Sequence, residues 1–335
     1  MARRSAWLPA VVALSLLLSA CSAITGQDSS SGGSSDCADY PTKPVTILVH
    51  TGPGGGSDLI AREIAQIVKK HEISPQPFVV ENAEGGDGAS AIRRLASGDD
   101  HTTISTPISV LVNIMRGGIG VNLDEVTPIA RMTLDPNVWL VRDDAPWKNV
   151  GDLLTDAERR PGKITVGFGT IGSSDHLLFY QVARDAGAKF SYVNHDSGGA
   201  AMVNMLGGHV DMASGQPSEA LEQIRAGKAR GLVAFSTERR LSTLPTVPTA
   251  KEAGIDVTGE SPRILLGAPE MCEEAVTFLE SAMRKVAGTP EWKQYVKESG
   301  ALAAYQDHTQ LDAYLDDEVA PRLSELIEDM DLKRR

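Results

Sequence analysis

Short apolar runs alternate along this chain with longer stretches whose apolar residues recur at helical spacing. Val45-Thr46-Ile47-Leu48-Val49 reads as a buried strand. A glycine-rich loop follows, and then Leu59, Ile60, Ile64, Ile67 and Val68 recur as one face of a helix. Phe78-Val79-Val80 predicts the next strand, 89–95 a helix, 102–105 a third strand, 137–142 a fourth, and 150–157 a helix. A second series opens at Ile164-Thr165-Val166-Gly167-Phe168, again a strand entering a glycine-rich turn. Helices over 174–186, 199–206 and 219–226 then alternate with strands over 190–193, 210–213 and 231–235. After a proline-rich loop at 244–248, a strand over 263–266 leads into helices over 273–286, 291–299 and 310–330. Strands alternating with helices predict an α/β protein with mostly parallel sheets, and two series predict two such domains. No fixed repeat is visible, which argues against a solenoid.

The start of the chain has a different pattern. Arg3 and Arg4 precede an apolar stretch from Trp7 to Leu18, and small residues lead to Cys21. This is the arrangement of an export signal, with Cys21 placed to be acylated as the first residue of the mature chain. The stretch is shorter than the ~20 apolar residues that span a bilayer. Residues 22–35 are rich in Ser and Gly and suit a flexible tether. The sequence therefore divides into a signal over 1–20, a lipidated tether over 21–36 and a folded body from 37. The expected location is the outer face of the cytoplasmic membrane or the periplasm.

Composition narrows the function. Hydrophobic residues make up 41%, enough for a core, while aromatics make up 5% and provide little for stacking sugars or bases. The net charge of −12 becomes −14 when Arg3 and Arg4 leave with the signal, so there is no footprint for nucleic acid. An anionic ligand would have to be attracted by local dipoles. Cys37 and Cys272 remain after Cys21 is assigned to lipid; a disulfide and two unrelated thiols are both compatible with the sequence. None of the seven His residues forms a pair at metal spacing, and neither a metal nor a cofactor is expected.

Two turns carry the candidate chemistry. Gly52-Pro53-Gly54-Gly55-Gly56-Ser57-Asp58 exposes backbone N–H groups at a helix start, where a carboxylate or phosphate is favoured. It lacks the Lys-Ser/Thr ending of a P-loop. Gly167-Phe168-Gly169-Thr170-Ile171-Gly172 matches the dinucleotide fingerprint, with Asp196 at about the spacing of a ribose-binding acid. An exported chain does not normally meet nicotinamide cofactors, and the same glycines with Ser173 and Ser174 hold a small carboxylate equally well. Asp196-Ser197-Gly198-Gly199 resembles a serine-protease nucleophile segment, and His176 or His195 is a conceivable base. The α/β pattern of the surrounding chain speaks against that chemistry.

Longer strings then line up: Pro53-Gly54-Gly55-x-x-Asp58, Val79-Val80-Glu81-Asn82, Gly172-Ser173-Ser174-x-His176-Leu177, Leu206-Gly207-Gly208-His209-Val210-Asp211, 224–230, and Leu244-Pro245-Thr246-Val247-Pro248-Thr249 with Glu252 and Gly254. In order and spacing the chain resembles the substrate-binding proteins of tripartite tricarboxylate transporters, the TctC or Bug family, from about Tyr40 to Leu323. The resemblance implies a periplasmic-binding-protein fold with an interdomain cleft: domain I over 37–136 plus 260–335, domain II over 137–259, joined by two crossing strands. It implies a monomeric, non-enzymatic receptor that takes a small organic carboxylate and delivers it to membrane permease subunits. The alternative function is ligand presentation to a membrane signalling kinase. By position, the first lip comprises Gly52, Gly54, Gly55, Ser57, Asp58, Thr106 and Ser109. The second comprises Thr170, Gly172, Ser173, Ser174, Ser197, Gly198, Gly199, Ala200, Gln216 and Ser218. Arg263 stands where the family often has an aromatic, and is a candidate to pair with a second carboxylate. His50, Thr51 and Gly52 replace the family's aromatic and prolines, and His195-Asp196 replaces a common Tyr-Lys.

Overall fold

The structure is a computed structural model that describes residues 37–333, save Asp196, 237–239, Thr258 and the side chain of Ser218. The signal, Cys21 and the tether lie outside the described residues. In chain order, β1 (Val45–Val49), α1 (Gly56–Lys70), β2 (Phe78–Asn82), α2 (Ala89–Ala96), β3 (Thr102–Thr106), α3 (Ile108–Met115) and β4 (Thr127–Asp135) come first. Next are β5 (Asn137–Arg142), α4 (Val150–Arg159), β6 (Thr165–Phe168), α5 (Ser174–Asp185), β7 (Ser191–Asn194), α6 (Gly198–Leu206), β8 (Met212–Gly215), α7 (Pro217–Arg225) and β9 (Ala229–Phe235). The chain ends with β10 (Ser261–Gly267), α8 (Glu273–Gly288), α9 (Pro290–Ser299), β11 (Leu302–Gln306), α10 (His308–Tyr314) and α11 (Ala320–Asp329).

The strands form two sheets, ordered β11-β4-β10-β3-β1-β2 and β7-β6-β8-β5-β9. In the first, β1 runs parallel to β2 and β3, while β10 is antiparallel to β3 and β4. In the second, β6 is parallel to β7 and β8, and β5 is antiparallel to β8 and β9. Each sheet is covered on both faces, which is why its strands read as nearly continuous apolar runs. One face of the first sheet packs Ile92, Leu95, Leu111 and Leu323 together, and the other packs Ile64, Ile67, Leu279 and Met283. The second sheet buries Trp139 against Phe179 and Phe235 on one side and Met202, Met205 and Leu244 on the other.

The chain crosses between sheets twice, at adjacent places. β4 ends at Asp135, Pro136 intervenes, and β5 starts the second sheet at Asn137. The return enters β10 at Ser261, which pairs with Asp135. Asn137 Nδ2 donates to the carbonyl of Gly259 at 2.7 Å and ties the crossings together. Cys37 and Cys272 are joined in a disulfide, and the Cys272 N–H at the start of α8 donates to Asp100 Oδ1 at 2.9 Å.

Four elements depart from the sequence reading. α3 is buried nearly all round, so Ile-Ser-Val-Leu-Val-Asn-Ile-Met carries no polar stripe to mark it as a helix. β4 and β11 have no clean alternation, because β4 is covered on both faces and β11 is a partly exposed edge strand. The expected single helix over 310–330 is interrupted by a π-helical turn at Leu315–Val319. Pro321 follows after Ala320; its ring cannot be accommodated in an unbroken helix, and the wider turn relieves it.

Candidate functional site

Both glycine-rich turns lie where a parallel strand runs into a helix, the place where open α/β sheets receive ligands. In the first, the Gly54 N–H donates to Asp58 Oδ2 at 2.9 Å, and Arg62 and Asn82 also donate to that carboxylate. The bond from Arg62, with those from Gly54 and Asn82, holds the Asp58 carboxyl down at about 2. Asp58 is therefore buried and turned inward, bracing the loop. In the second, the Gly169 N–H donates to Asp175 Oδ2 at 2.9 Å. Asp175 is buried, and burial raises its pKa. The Gly172 N–H donates to His176 Nδ1 at 3.1 Å, and the His176 ring stacks on Phe168. His176 thus serves the loop, and burial lowers its pKa to about 4, with the Arg116 charge adding to the effect.

The turns bring the lobes close. Gly172 has φ +80°, and a side-chain carbon there would lie 2.4 Å from Val112 Cγ1 of α3. Glycine is required on both counts. A side-chain carbon at Gly300, which follows α9, would fall 2.6 Å from Pro217 Cβ at the start of α7.

Two cavities open beside these contacts. One of about 140 Å³ is lined by Ser109, Ser173, Ser174, Asn137, Ser261 and the side chains of Asp135, Gln216 and Arg263, among others. The starts of α3 and α5 face it with their positive dipole ends, and the Ile108 N–H that opens α3 donates to Ser261 Oγ at 3.5 Å. The Ser174 hydroxyl donates to Asn137 Oδ1 at 3.4 Å, as does that of Ser214. The other cavity, about 230 Å³, lies between α1, α9 and α7 and includes Gly56, Leu59, Ile60, Tyr295 and Glu298. Asp135, Gln216 and Arg263 line both. Arg263 Nε donates to Asp135 Oδ2 at 2.6 Å, and Gln216 Nε2 donates to the same oxygen at 3.1 Å. Arg263 Nη1 lies 3.4 Å from Ser57 Oγ. Burial, and secondly the Arg263 charge, lowers the His50 pKa to about 4, so His50 is neutral at pH 7.

Of the residues singled out from sequence, Ser109, Ser173, Ser174, Gln216 and Arg263 come together around these cavities, with Ser57 against Arg263. Gly52, Gly54, Gly55, Asp58, Thr106, Thr170 and Gly172 do not line them. Thr106 is buried with its hydroxyl on the Pro107 carbonyl, and Ser173 donates its hydroxyl to the Thr170 carbonyl. Ser197 caps α6 by accepting the Ala200 N–H, and Gly198 packs so tightly on Gly169 that a side-chain carbon at 169 would lie 2.9 Å from Gly198 N. Gly199 and Ala200 continue the first turn of α6, away from both cavities. Ser218 is in the first turn of α7, with its side chain outside the described residues. The sequence reading passed over Asp135, Asn137 and Ser261. The signal available for the first two was Asp-Pro-Asn between apolar runs, which marks a chain leaving one sheet for another.

The sequence matches the model of the family described as tripartite tricarboxylate transporter family receptor over residues 60–332. The chain belongs to this family. This receptor is 27% identical over 246 residues to BugT of Bordetella pertussis, covering 72% of this chain and 74% of BugT. A TctC solute-binding protein from Polaromonas, solved without ligand, superimposes with a TM-score of 0.70 at 27% identity, over 87% of this receptor and 99% of that chain. MatC from Rhodopseudomonas palustris, solved with malate bound, superimposes with a TM-score of 0.74 at 25% identity, over 86% and 100%. The fold is that of the family's periplasmic binding proteins, two α/β domains with a sheet in each. Among the described residues, no helix is long and apolar enough to cross a membrane.

Proposed function

We propose that this receptor captures a small organic carboxylate between its two sheets and hands it to the membrane subunits of a tripartite tricarboxylate-type transporter. In this reading the domains are 37–136 plus 260–335 and 137–259, and the mature chain is held to the membrane by lipid on Cys21. The observation that carries it is the 140 Å³ cavity, where Ser109, Ser173 and Ser174 lie at helix starts beside Arg263 in a strongly acidic chain. Serine hydroxyls and the positive dipole ends of helices favour a carboxylate without a dedicated positive surface. The malate in the related MatC is consistent with this ligand class.

Calorimetric titration with citrate, dicarboxylates, acidic amino acids and aromatic acids tests the proposal. Saturable binding of at least one acid is expected, with a negative heat-capacity change as the cleft closes over it. Binding of sugars or cationic peptides, with no response to any acid, would contradict it.

A further inference from the structure

We infer that this protein carries a second binding site, a cavity beside the strand crossings that takes a small oxyanion between Arg131 and Arg322. The site shares no lining residue with the two cavities described above, and the inference does not rest on the receptor reading.

This cavity, of about 360 Å³, is larger than either of the others. Its wall includes Arg131 and Leu134 of β4, Gln306 at the end of β11, Tyr314 of α10 and Arg322 of α11. Arg131 is buried; its Nε donates to the Ala304 carbonyl at 2.9 Å, and its guanidinium stands 4.5 Å from the centre of the Tyr314 ring. The Arg322 charge also acts on Tyr314, so both cations lie near one ring. Arg322 Nε is buried without a hydrogen-bond partner, and so is Gln306 Oε1. Buried polar groups left in this way are costly, and a cavity beside them favours an occupant that can bond to both. A half-turn of the Gln306 amide exchanges Oε1 for an NH2 group, so both positions can donate. Two guanidinium groups and an amide donor around one space suit an acceptor with several oxygens, such as phosphate, sulfate or a carboxylate. Two carboxylates share the wall without reversing this preference. Glu260 is buried and already has a partner, while Glu318 is exposed, where water screens it. Against Glu260 alone, the two arginines leave the interior with one net positive charge.

The test is calorimetry on the full chain, with inorganic phosphate, sulfate and acetate titrated separately at constant ionic strength. At least one of these ions is expected to saturate a single site with an affinity on the order of millimolar or tighter. Arg322→Gln should weaken that binding about 10-fold or more, the size of a charge-assisted contact. Arg322→Lys keeps the charge without Nε and should recover part of it. Arg131 is left intact because it also holds the Ala304 carbonyl. Gln306→Leu removes the other unpartnered group, should weaken binding about threefold, and serves as the test if Arg322→Gln fails to fold. Ser173→Ala/Ser174→Ala, at the 140 Å³ cavity, should leave the affinity for the ion unchanged. Binding of phosphate or sulfate that Arg322→Gln weakens assigns the site to a tetrahedral oxyanion; the same result with acetate alone assigns it to a carboxylate. If none of the three ions binds, or if binding is insensitive to Arg322→Gln and Gln306→Leu, the inference is overturned while the receptor reading stands. A loss in the serine double variant as large as in Arg322→Gln would place the ion at the 140 Å³ cavity and overturn the inference as well.

Discussion

The two glycine-rich turns solve one mechanical problem with opposite electrostatics. Each is pinned by an aspartate from the helix that follows, through a glycine N–H at 2.9 Å. Asp58 is surrounded by Arg62 and Asn82 and is strongly ionised, whereas Asp175 is buried and its pKa is raised. The first lobe brings Arg263, paired with Asp135 and close to Ser57, and Ser109 at the start of α3; the second brings Ser173 and Ser174 at the start of α5. A loop that needs only bracing tolerates either solution.

The largest expected effect falls on both lobes alike. His50 and His176 each have a pKa near 4 in the folded protein, against an ordinary 6.5. The unfolded chain therefore binds more protons than the native one between these values, and stability must fall as pH drops from about 6.5 toward 4. Each histidine contributes up to about 3 kcal/mol of that loss. Urea unfolding across this range should show the decline, and His50→Gln or His176→Gln should each flatten it. A stability independent of pH there would contradict the buried, neutral assignments.

The disulfide separates the lobes more sharply, because both of its cysteines belong to the first. Cys37→Ser/Cys272→Ser opens a link across 235 residues of sequence and should lower stability by about 2–4 kcal/mol in denaturant titrations. Ligand affinity should be unchanged, since neither cysteine lines the cavities. The aspartates give the finest contrast. Asp58→Asn loses the charge that Arg62 pairs with and should cost about 2 kcal/mol. Asp175→Asn keeps an acceptor for Gly169 where charge is already disfavoured, and should cost about 1 kcal/mol or less. Equal costs in thermal unfolding would remove the electrostatic distinction between the turns.

The strand–helix alternation and both glycine turns were legible in sequence because each carries a local signature: an apolar run, then glycines, then helical periodicity. α3 and β4 were not, since full burial on every side erases the polar stripe that marks an element. Ser174 and Gln216 were reachable through family position, while Asp135 was not. Its importance comes from a meeting of β4, β10 and the start of α7, which are far apart in sequence. Likewise Asp58 reads as a ligand residue from its place in the motif, and only three-dimensional packing shows it facing the loop it supports.

The central claim is that an organic acid lies between the two sheets with a carboxylate at Ser173 and Ser174. A crystal structure of the receptor saturated with an acid that binds in calorimetry tests it most directly. The account predicts a carboxylate within hydrogen-bonding distance of the α5 start, inside the cavity that Ser109 and Arg263 also line. An acid bound on an outer face, with that cavity holding only water, would contradict it.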